Sequence, residues 1–198
     1  YSGTSDINDF TASGSGSIVL DDQVVGLKSF RGDLIIFCKN SIYKLSNIND
    51  ANNIAITPIT KNVGCLDGQS IQEIGGDLIF LSPDGFRLVA GTARIGDVEL
   101  SSVSRNIQSV VSTLAASIDS YVITSAVLRS KSQYRLFYSS TSGATDTSLG
   151  IIGTMTPEGF EWSQTTGIKA HGLTSGFNYS NIEKVYHGDT SGYVYNHN

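Results

Sequence analysis

Short apolar and β-branched runs, separated by turn residues, make up most of the chain. Two of the separating turns, Arg31-Gly32 and Asn40-Ser41, are only two residues long. Apolar runs of four to seven residues joined by such tight turns predict antiparallel strands in hairpins. In the first third of the chain the predicted strands occupy residues 24–30, 33–39, 42–45 and 54–60.

The pattern of residues 30–43 occurs again 44 residues later, at residues 74–87. Both copies contain Gly-Asp-Leu-Ile, beginning at Gly32 and at Gly76, and both continue through a predicted two-residue turn, Asn40-Ser41 or Asp84-Gly85. A period of about 40 to 50 residues is typical of one four-stranded propeller blade. The repeat therefore predicts successive blade-like sheets.

The rest of the chain continues this alternation of strands and turns. Predicted strands occupy residues 121–128, 133–139, 149–155 and 159–163, and residues 184–195 form a last hairpin with Gly188-Asp189 in its turn. The chain thus divides into an extended arm or linker at 1–17, propeller-like blades at 18–100, a helix at 101–117 and further propeller-like strands at 118–198. The predicted fold class is all-β and mainly antiparallel, with blades in a partial or incomplete ring.

One segment departs from the strand pattern and predicts an amphipathic helix inserted near residues 102–116. Its apolar positions recur at helical spacing, and either Ser101 or Ser102 can cap its N-terminus. The apolar face needs a partner, either in the remainder of the chain or in a neighbouring subunit. The interface candidates are Val103, Ile107, Val110, Val111 and Leu114.

Composition agrees with a protein of many short strands. Only 16% of the residues are charged, against about a quarter in an average protein, and Gly is abundant with 21 residues. The formal net charge is -5. This disfavours direct binding of DNA or RNA, because no broad cationic surface is available to neutralise phosphates. No apolar run reaches the roughly 18 residues that a membrane span requires.

A search for catalytic or metal-binding residues finds no constellation. His171, His187 and His197 have no metal-ligand spacing, and no nucleophile elbow, phosphate-binding loop or dinucleotide fingerprint is present. We therefore predict no enzyme activity, no metal and no cofactor. The carboxylates that follow glycines are interpreted as turn residues. These predicted structural turn residues are Gly32, Asp33, Gly76, Asp77, Asp84, Gly85, Gly188, Asp189 and Gly192.

Several motifs, taken in order, resemble the β-propeller structural proteins of tailed-phage virions, of the tail tubular or nozzle type found in short-tailed phages. They occupy residues 25–37, 42–45, 63–65, 69–71, 76–87, 94–97, 102–104 and 187–195. The resemblance covers roughly residues 24–113 well and the C-terminal third loosely. The resemblance implies a structural subunit of the phage tail that acts through subunit interfaces and helps to form the DNA-ejection conduit. It implies no catalytic residues.

The resemblance also implies partners and a location. The partners are other copies of the chain in a ring, for example a hexamer, and neighbouring tail proteins, while genome DNA passes through without specific binding. The location is the virion, after synthesis in the host cytoplasm.

Two other functions stay open from the residues. One is a carbohydrate- or receptor-binding propeller on a virion or cell surface, for which exposed aromatic side chains would form a stacking surface; packing between blades is the competing role for the same rings. The other is a glycosidase or sialidase, which needs paired carboxylates or an arginine cluster. The aromatic candidates are Tyr134, Tyr138, Phe160, Trp162, Tyr179, Tyr186, Tyr193 and Tyr195.

Overall fold

The computed structural model of the chain describes residues 8, 11, 15–48, 50, 53–90, 102–141 and 148–197. These residues are mainly antiparallel β-structure and form four sheets. In every sheet the strands follow one another in chain order, each paired with the next. The fold is therefore a series of four meanders, which bears out the mainly antiparallel β class.

The first two sheets come from residues 24–88. The first sheet contains β1 (Val24–Phe30), β2 (Asp33–Cys38), β3 (Ile42–Ser46) and β4 (Ala55–Thr60). The second sheet contains β5 (Gln72–Ile74), β6 (Asp77–Ser82) and β7 (Gly85–Leu88).

The last two sheets come from residues 121–197. The third sheet contains β8 (Tyr121–Leu128), β9 (Gln133–Ser140), β10 (Leu149–Thr156) and β11 (Gly159–Thr166). The fourth sheet contains β12 (Gly172–Phe177), β13 (Glu183–Gly188) and β14 (Val194–His197).

The two copies of the 44-residue pattern occupy equivalent places in the first and second sheets. In the first, Arg31 and Gly32 form the turn between β1 and β2, with φ of 52° and 85°. In the second, Gly75 and Gly76 form the turn between β5 and β6, with φ of 60° and 74°. Positive φ at both central residues is the type I′ geometry that suits the twist of a two-residue hairpin.

The next hairpin turn in each copy lies one residue earlier than the sequence predicts. Lys39-Asn40 is the loop after β2, since the Cys38 amide donates to the Ser41 carbonyl at 2.8 Å. The corresponding loop after β6 is Pro83-Asp84, because Ser82 pairs with Gly85. Gly85 looks like a turn residue in the sequence, but it begins β7 with a φ of 139°.

The second sheet is packed between the first and the third. Leu78 and Phe80 of β6 join Ile35 and Phe37 of β2 in one buried cluster, where the rings of Phe37 and Phe80 lie 5.3 Å apart. The alternate residues of β6 join a second cluster with the helix and the third sheet; these are Ile79 and Leu81, with Val111, Leu114, Tyr134 and Leu136. Alternation along one strand thus supplies both cores.

The helix α1, Gln108–Ala116, is shorter than predicted. A 3₁₀ turn at Arg105–Ile107 precedes it, and Ser101 lies outside the described residues. Val103 and Ser104 are held against β7 instead of starting the helix. The Val103 amide donates to the Phe86 carbonyl at 2.9 Å, and the Phe86 amide donates to Ser104 Oγ at 2.9 Å. These bonds hold a turn at Val103 and Ser104, where the periodicity alone predicts helix.

The predicted arm at 1–17 lies outside the described residues, apart from residues 8, 11 and 15–17. Just after it, Asp21 and Asp22 attach the chain to the first sheet. Tyr43 donates its hydroxyl to Asp21, and the Asn40 amide donates to Asp22 Oδ2 at 2.7 Å. No helix within the described ranges is long and apolar enough to cross a membrane.

Candidate functional site

The first strand of each of the four sheets contributes to one shared cavity of about 190 Å³. The lining residues include Lys28 of β1, Glu73 of β5, Ser125 of β8 and Thr174 of β12. Each of the four meanders thus contributes its first strand to this cavity. Within the part of the chain that the structure describes, residues of all four sheets meet there.

Polar side chains that line this cavity form hydrogen bonds with other segments of the chain. Gln72 Nε2 donates to the Ser125 carbonyl at 3.0 Å, and the Ser125 hydroxyl donates to the Gln69 carbonyl. Glu73 is the single carboxylate among the lining residues. Acid-base hydrolysis of a glycoside requires two carboxyl groups, so this cavity does not supply that pair.

The predicted turn carboxylates lie apart from one another, and each has a local partner. Asp77 accepts from the Leu78 amide at 2.7 Å and from the Ala90 amide at 3.1 Å. Asp33 pairs with Lys44 at 3.7 Å, and Asp84 pairs with Arg87. These four contacts join neighbouring strands, loops or turn residues of the same sheet.

Asp189 orders the longer loop between β13 and β14. Its Oδ1 accepts from the Tyr193 amide at 3.0 Å and from the Ser191 amide at 2.9 Å, and Gly192 in the same loop has a φ of 86°. The Tyr193 and Ser191 hydrogen bonds favour the ionised form and lower the pKa of Asp189. Asp189 therefore holds a turn closed by hydrogen bonds to backbone amides.

The apolar face of the helix packs inside the chain. Ile107, Val111 and Leu114 are buried in the core shared by the second and third sheets, and Val103 and Val110 pack against it half-buried. The sequence left two partners open for this face, the remainder of the chain or a neighbouring subunit. In the structure the face packs against the remainder of the chain. Ile107, Val111 and Leu114 are therefore covered within the chain, whereas Val103 and Val110 keep part of their surface exposed.

The aromatic candidates separate into a buried and an exposed group. Trp162 stacks between Phe86 at 4.8 Å and Phe160 at 5.4 Å, and its Nε1 donates to the Val103 carbonyl at 2.7 Å. Tyr134 and Tyr138 are buried in the same core. Tyr179 is fully exposed, and Tyr193 and Tyr195 are exposed as well, so the surface aromatics belong to the fourth sheet.

A cluster of polar side chains joins the third sheet to the fourth, and sequence reasoning did not foresee it. His187 Nδ1 lies 2.6 Å from His197 Nε2, and His197 Nδ1 lies 3.4 Å from Arg135 Nη1. His171 Nε2 lies 3.1 Å from Ser139 Oγ. His171 and His197 thus contact β9 directly and His187 is connected to it through His197, although all three lie far from β9 in sequence.

The hydrogen bonds of this cluster require neutral imidazoles. Arginine can only donate, so His197 Nδ1 accepts from Arg135, and the proton of His197 is on Nε2, where it is donated to His187 Nδ1. Burial lowers the pKa of His187. Burial, together with the nearby His187 and Arg135, lowers the pKa of His197 to about 4. Both rings are therefore neutral at pH 7.

The cysteines and the other possible metal ligands form no such cluster. Cys38 and Cys65 are buried and free, and burial raises the pKa of Cys65 to about 12. In the ranges that the structure describes, no three His, Cys, Asp or Glu side chains are placed to hold a metal ion together.

A scan against protein-family models finds no match, and no curated protein matches the chain.

Proposed function

We propose that this chain is a structural component of a phage tail, of the nozzle or tail-tube type, that acts through subunit interfaces. The observation that carries the proposal is the arrangement of four consecutive meanders around one cavity, with sheets packed face to face. This arrangement supports propeller-like blades in a partial ring. It is the architecture that the resemblance of residues 24–113 implies.

The surface for neighbouring subunits is best provided by the fourth sheet. Its outer strand β14 has an open edge that carries no charged residue and no proline, the two features that commonly protect edge strands. The apolar side chain of Val194 in this strand is 75% exposed and is not covered by another segment of the chain. The exposed large side chains of this sheet are Phe177, Tyr179, Ile182, Tyr193, Val194 and Tyr195.

The charge of the chain suits a conduit for DNA. A net charge of -5 gives no general attraction for phosphates, so DNA can slide past without being held. In the proposed assembly, copies of the chain form a ring, contact neighbouring tail proteins and leave the genome free to move. No reaction is part of this function.

The test is the assembly state of the natural full-length polypeptide that contains this chain, together with its presence in purified particles. We expect a symmetric ring by electron microscopy and native mass spectrometry. The double change Val194→Asp and Tyr179→Asp should weaken the ring, because it places charges on an apolar contact. Glu161→Gln, on the exposed face of β11, is the matched control and should leave assembly unchanged.

A strictly monomeric full-length protein that is absent from purified particles would contradict the proposal. Full retention of the ring in the double variant would refute the assignment of the interface to the fourth sheet.

A second candidate function is recognition of a carbohydrate or surface receptor, which the exposed Tyr179 and Tyr193 favour. Trp162 is not part of such a surface, since it is stacked against Phe86. A glycan array with the wild-type chain and Tyr179→Ala tests this candidate. It requires binding that the substitution abolishes, and uniform absence of binding would remove it.

A further inference from the structure

A cavity of about 450 Å³ opens between the third and fourth sheets, beside the histidine cluster. One part of its wall is apolar and consists of Leu128, Phe177, Ile182 and Val185. The volume falls in the range of small-molecule sites, and an apolar wall with a few convergent polar groups is their usual composition. The polar groups here are mainly basic.

The cationic side chains among the lining residues are Lys131, Arg135 and Lys184, and His197, whose ring is neutral at pH 7, also lines the cavity. Arg135 is only 9% exposed. Its Nη2 donates to Gln133 Oε1 at 2.8 Å and its Nη1 to His197, but its buried Nε has no partner. A guanidinium this buried normally has a carboxylate partner. Arg135 forms no ion pair with any described residue.

Glu183 is the one carboxylate among the lining residues, and both of its oxygens accept hydrogen bonds from backbone amides. Its Oε1 accepts from the Arg129 amide at 3.0 Å and its Oε2 accepts from the Ser130 amide at 2.7 Å. Both oxygens therefore anchor the loop between β8 and β9 to the fourth sheet. The cavity thus has an excess of positive charge that the chain itself does not neutralise.

We propose that this cavity binds a small organic carboxylate, with the anionic group next to Arg135 and a compact ring against Leu128, Ile182 and Val185. Guanidinium groups bind carboxylates through paired, charge-assisted hydrogen bonds, and Nη1 and Nη2 of Arg135 each keep one N–H that His197 and Gln133 do not use. The ring can belong to a free aromatic acid or to an acidic sugar. The proposal stands apart from tail assembly and does not depend on it.

The first test is isothermal titration of the chain with benzoate at about pH 7. Benzamide, which has the same ring and no charge, is the matched ligand control. We expect benzoate to bind at least tenfold more tightly, since a hydrogen bond between a guanidinium and a carboxylate is stronger than one to a neutral amide. Glucuronate and glucose form a second pair, which identifies the preferred ring. Preference for either charged ligand over its neutral partner supports the proposal.

Variants locate the site. Arg135→Met, which keeps an unbranched side chain and removes the guanidinium, should reduce benzoate affinity at least tenfold. Lys184→Gln should reduce it two- to fivefold and serves if Arg135→Met does not fold. Lys28→Gln removes a cation from the other cavity and should leave affinity unchanged.

A second readout follows from the contact of Arg135 with His197. Bound benzoate should raise the pKa of His197, because a nearby anion favours the charged imidazole. Titration of the histidine ring protons by NMR, with and without benzoate, measures this change. Equal binding of both ligands in both pairs, no binding of any of them, or unchanged affinity in Lys184→Gln together with an unchanged His197 pKa would overturn the proposal.

Discussion

Acidification should loosen the contact between the third and fourth sheets, because the hydrogen bonds from Arg135 through His197 to His187 require neutral rings. Protonation of His197 turns its acceptor Nδ1 into a second donor facing Arg135. It also places two positive charges side by side. Asp189 partly offsets this at His187, because its charge favours the protonated ring there. The perturbation to apply is therefore a pH decrease from neutral.

The size of the effect follows from the pKa of His197, which is 6.5 in an ordinary environment and about 4 in the folded chain. Between these values the unfolded chain binds the proton and the folded chain does not, so stability falls as the pH falls. At about 1.4 kcal/mol for each pH unit, the difference sets an upper limit of about 3.4 kcal/mol. His197 is only partly buried, so solvent screening reduces the expected loss to about 1–2 kcal/mol.

Urea denaturation at a series of pH values from about 7 to about 4 measures this loss. His197→Gln should lose less stability over that interval, since the titrating ring is gone. His171→Gln removes a histidine outside the pair and should retain the full loss. If His197→Gln and the wild type lose the same free energy of unfolding between these pH values, the reasoning is refuted.

Four further substitutions test the packing, each by urea denaturation at neutral pH. Phe80→Ala leaves a cavity in the fully buried core between the first two sheets and should cost about 3–5 kcal/mol; a loss below about 1 kcal/mol would contradict that packing. Gly64→Ala should be clearly destabilising, since an added Cβ overlaps the Lys39 carbonyl, whereas Gly172→Ala, with nothing nearby, should change stability by less than about 0.5 kcal/mol. Tyr134→Phe removes a buried hydrogen bond of 2.8 Å to a carbonyl and should cost about 1–3 kcal/mol; unchanged stability would contradict this role.

The sequence allowed the β-structure and the repeat to be predicted because both depend on local signals. Alternation and turn residues define hairpins, and Gly32 and Gly76 mark equivalent corners 44 residues apart. Finer boundaries depend on tertiary contacts. Gly85 starts a strand because Ser82 pairs with it, and the helix begins late because Val103 bonds to β7. Neither contact is visible in local periodicity.

The polar cluster could not be predicted from spacing. Arg135 lies 62 residues before His197, and the two meet only because the fourth sheet packs on β9. A weak signal was present in β9 itself, where Arg135 and Ser139 lie on one face of a strand whose other face carries Tyr134, Leu136 and Tyr138. Alternate polar residues in a buried strand indicate that its second face meets a polar partner. That reading identifies one side of the cluster, but it does not identify the histidines.

The contrast between the inter-sheet contacts leads to a prediction about local stability. Large apolar clusters join the first three sheets, whereas hydrogen-bonded histidines, Arg135 and a single fully buried aliphatic residue, Val185, connect the fourth sheet to the third. Elements with few buried apolar contacts open at lower free energy. Amides of β13 should therefore exchange with solvent deuterium earlier than those of β6 and β9, as hydrogen-exchange mass spectrometry measures. Equal protection of β13, β6 and β9 would show that the fourth sheet unfolds only with the whole chain, and would contradict this view of a weakly held sheet.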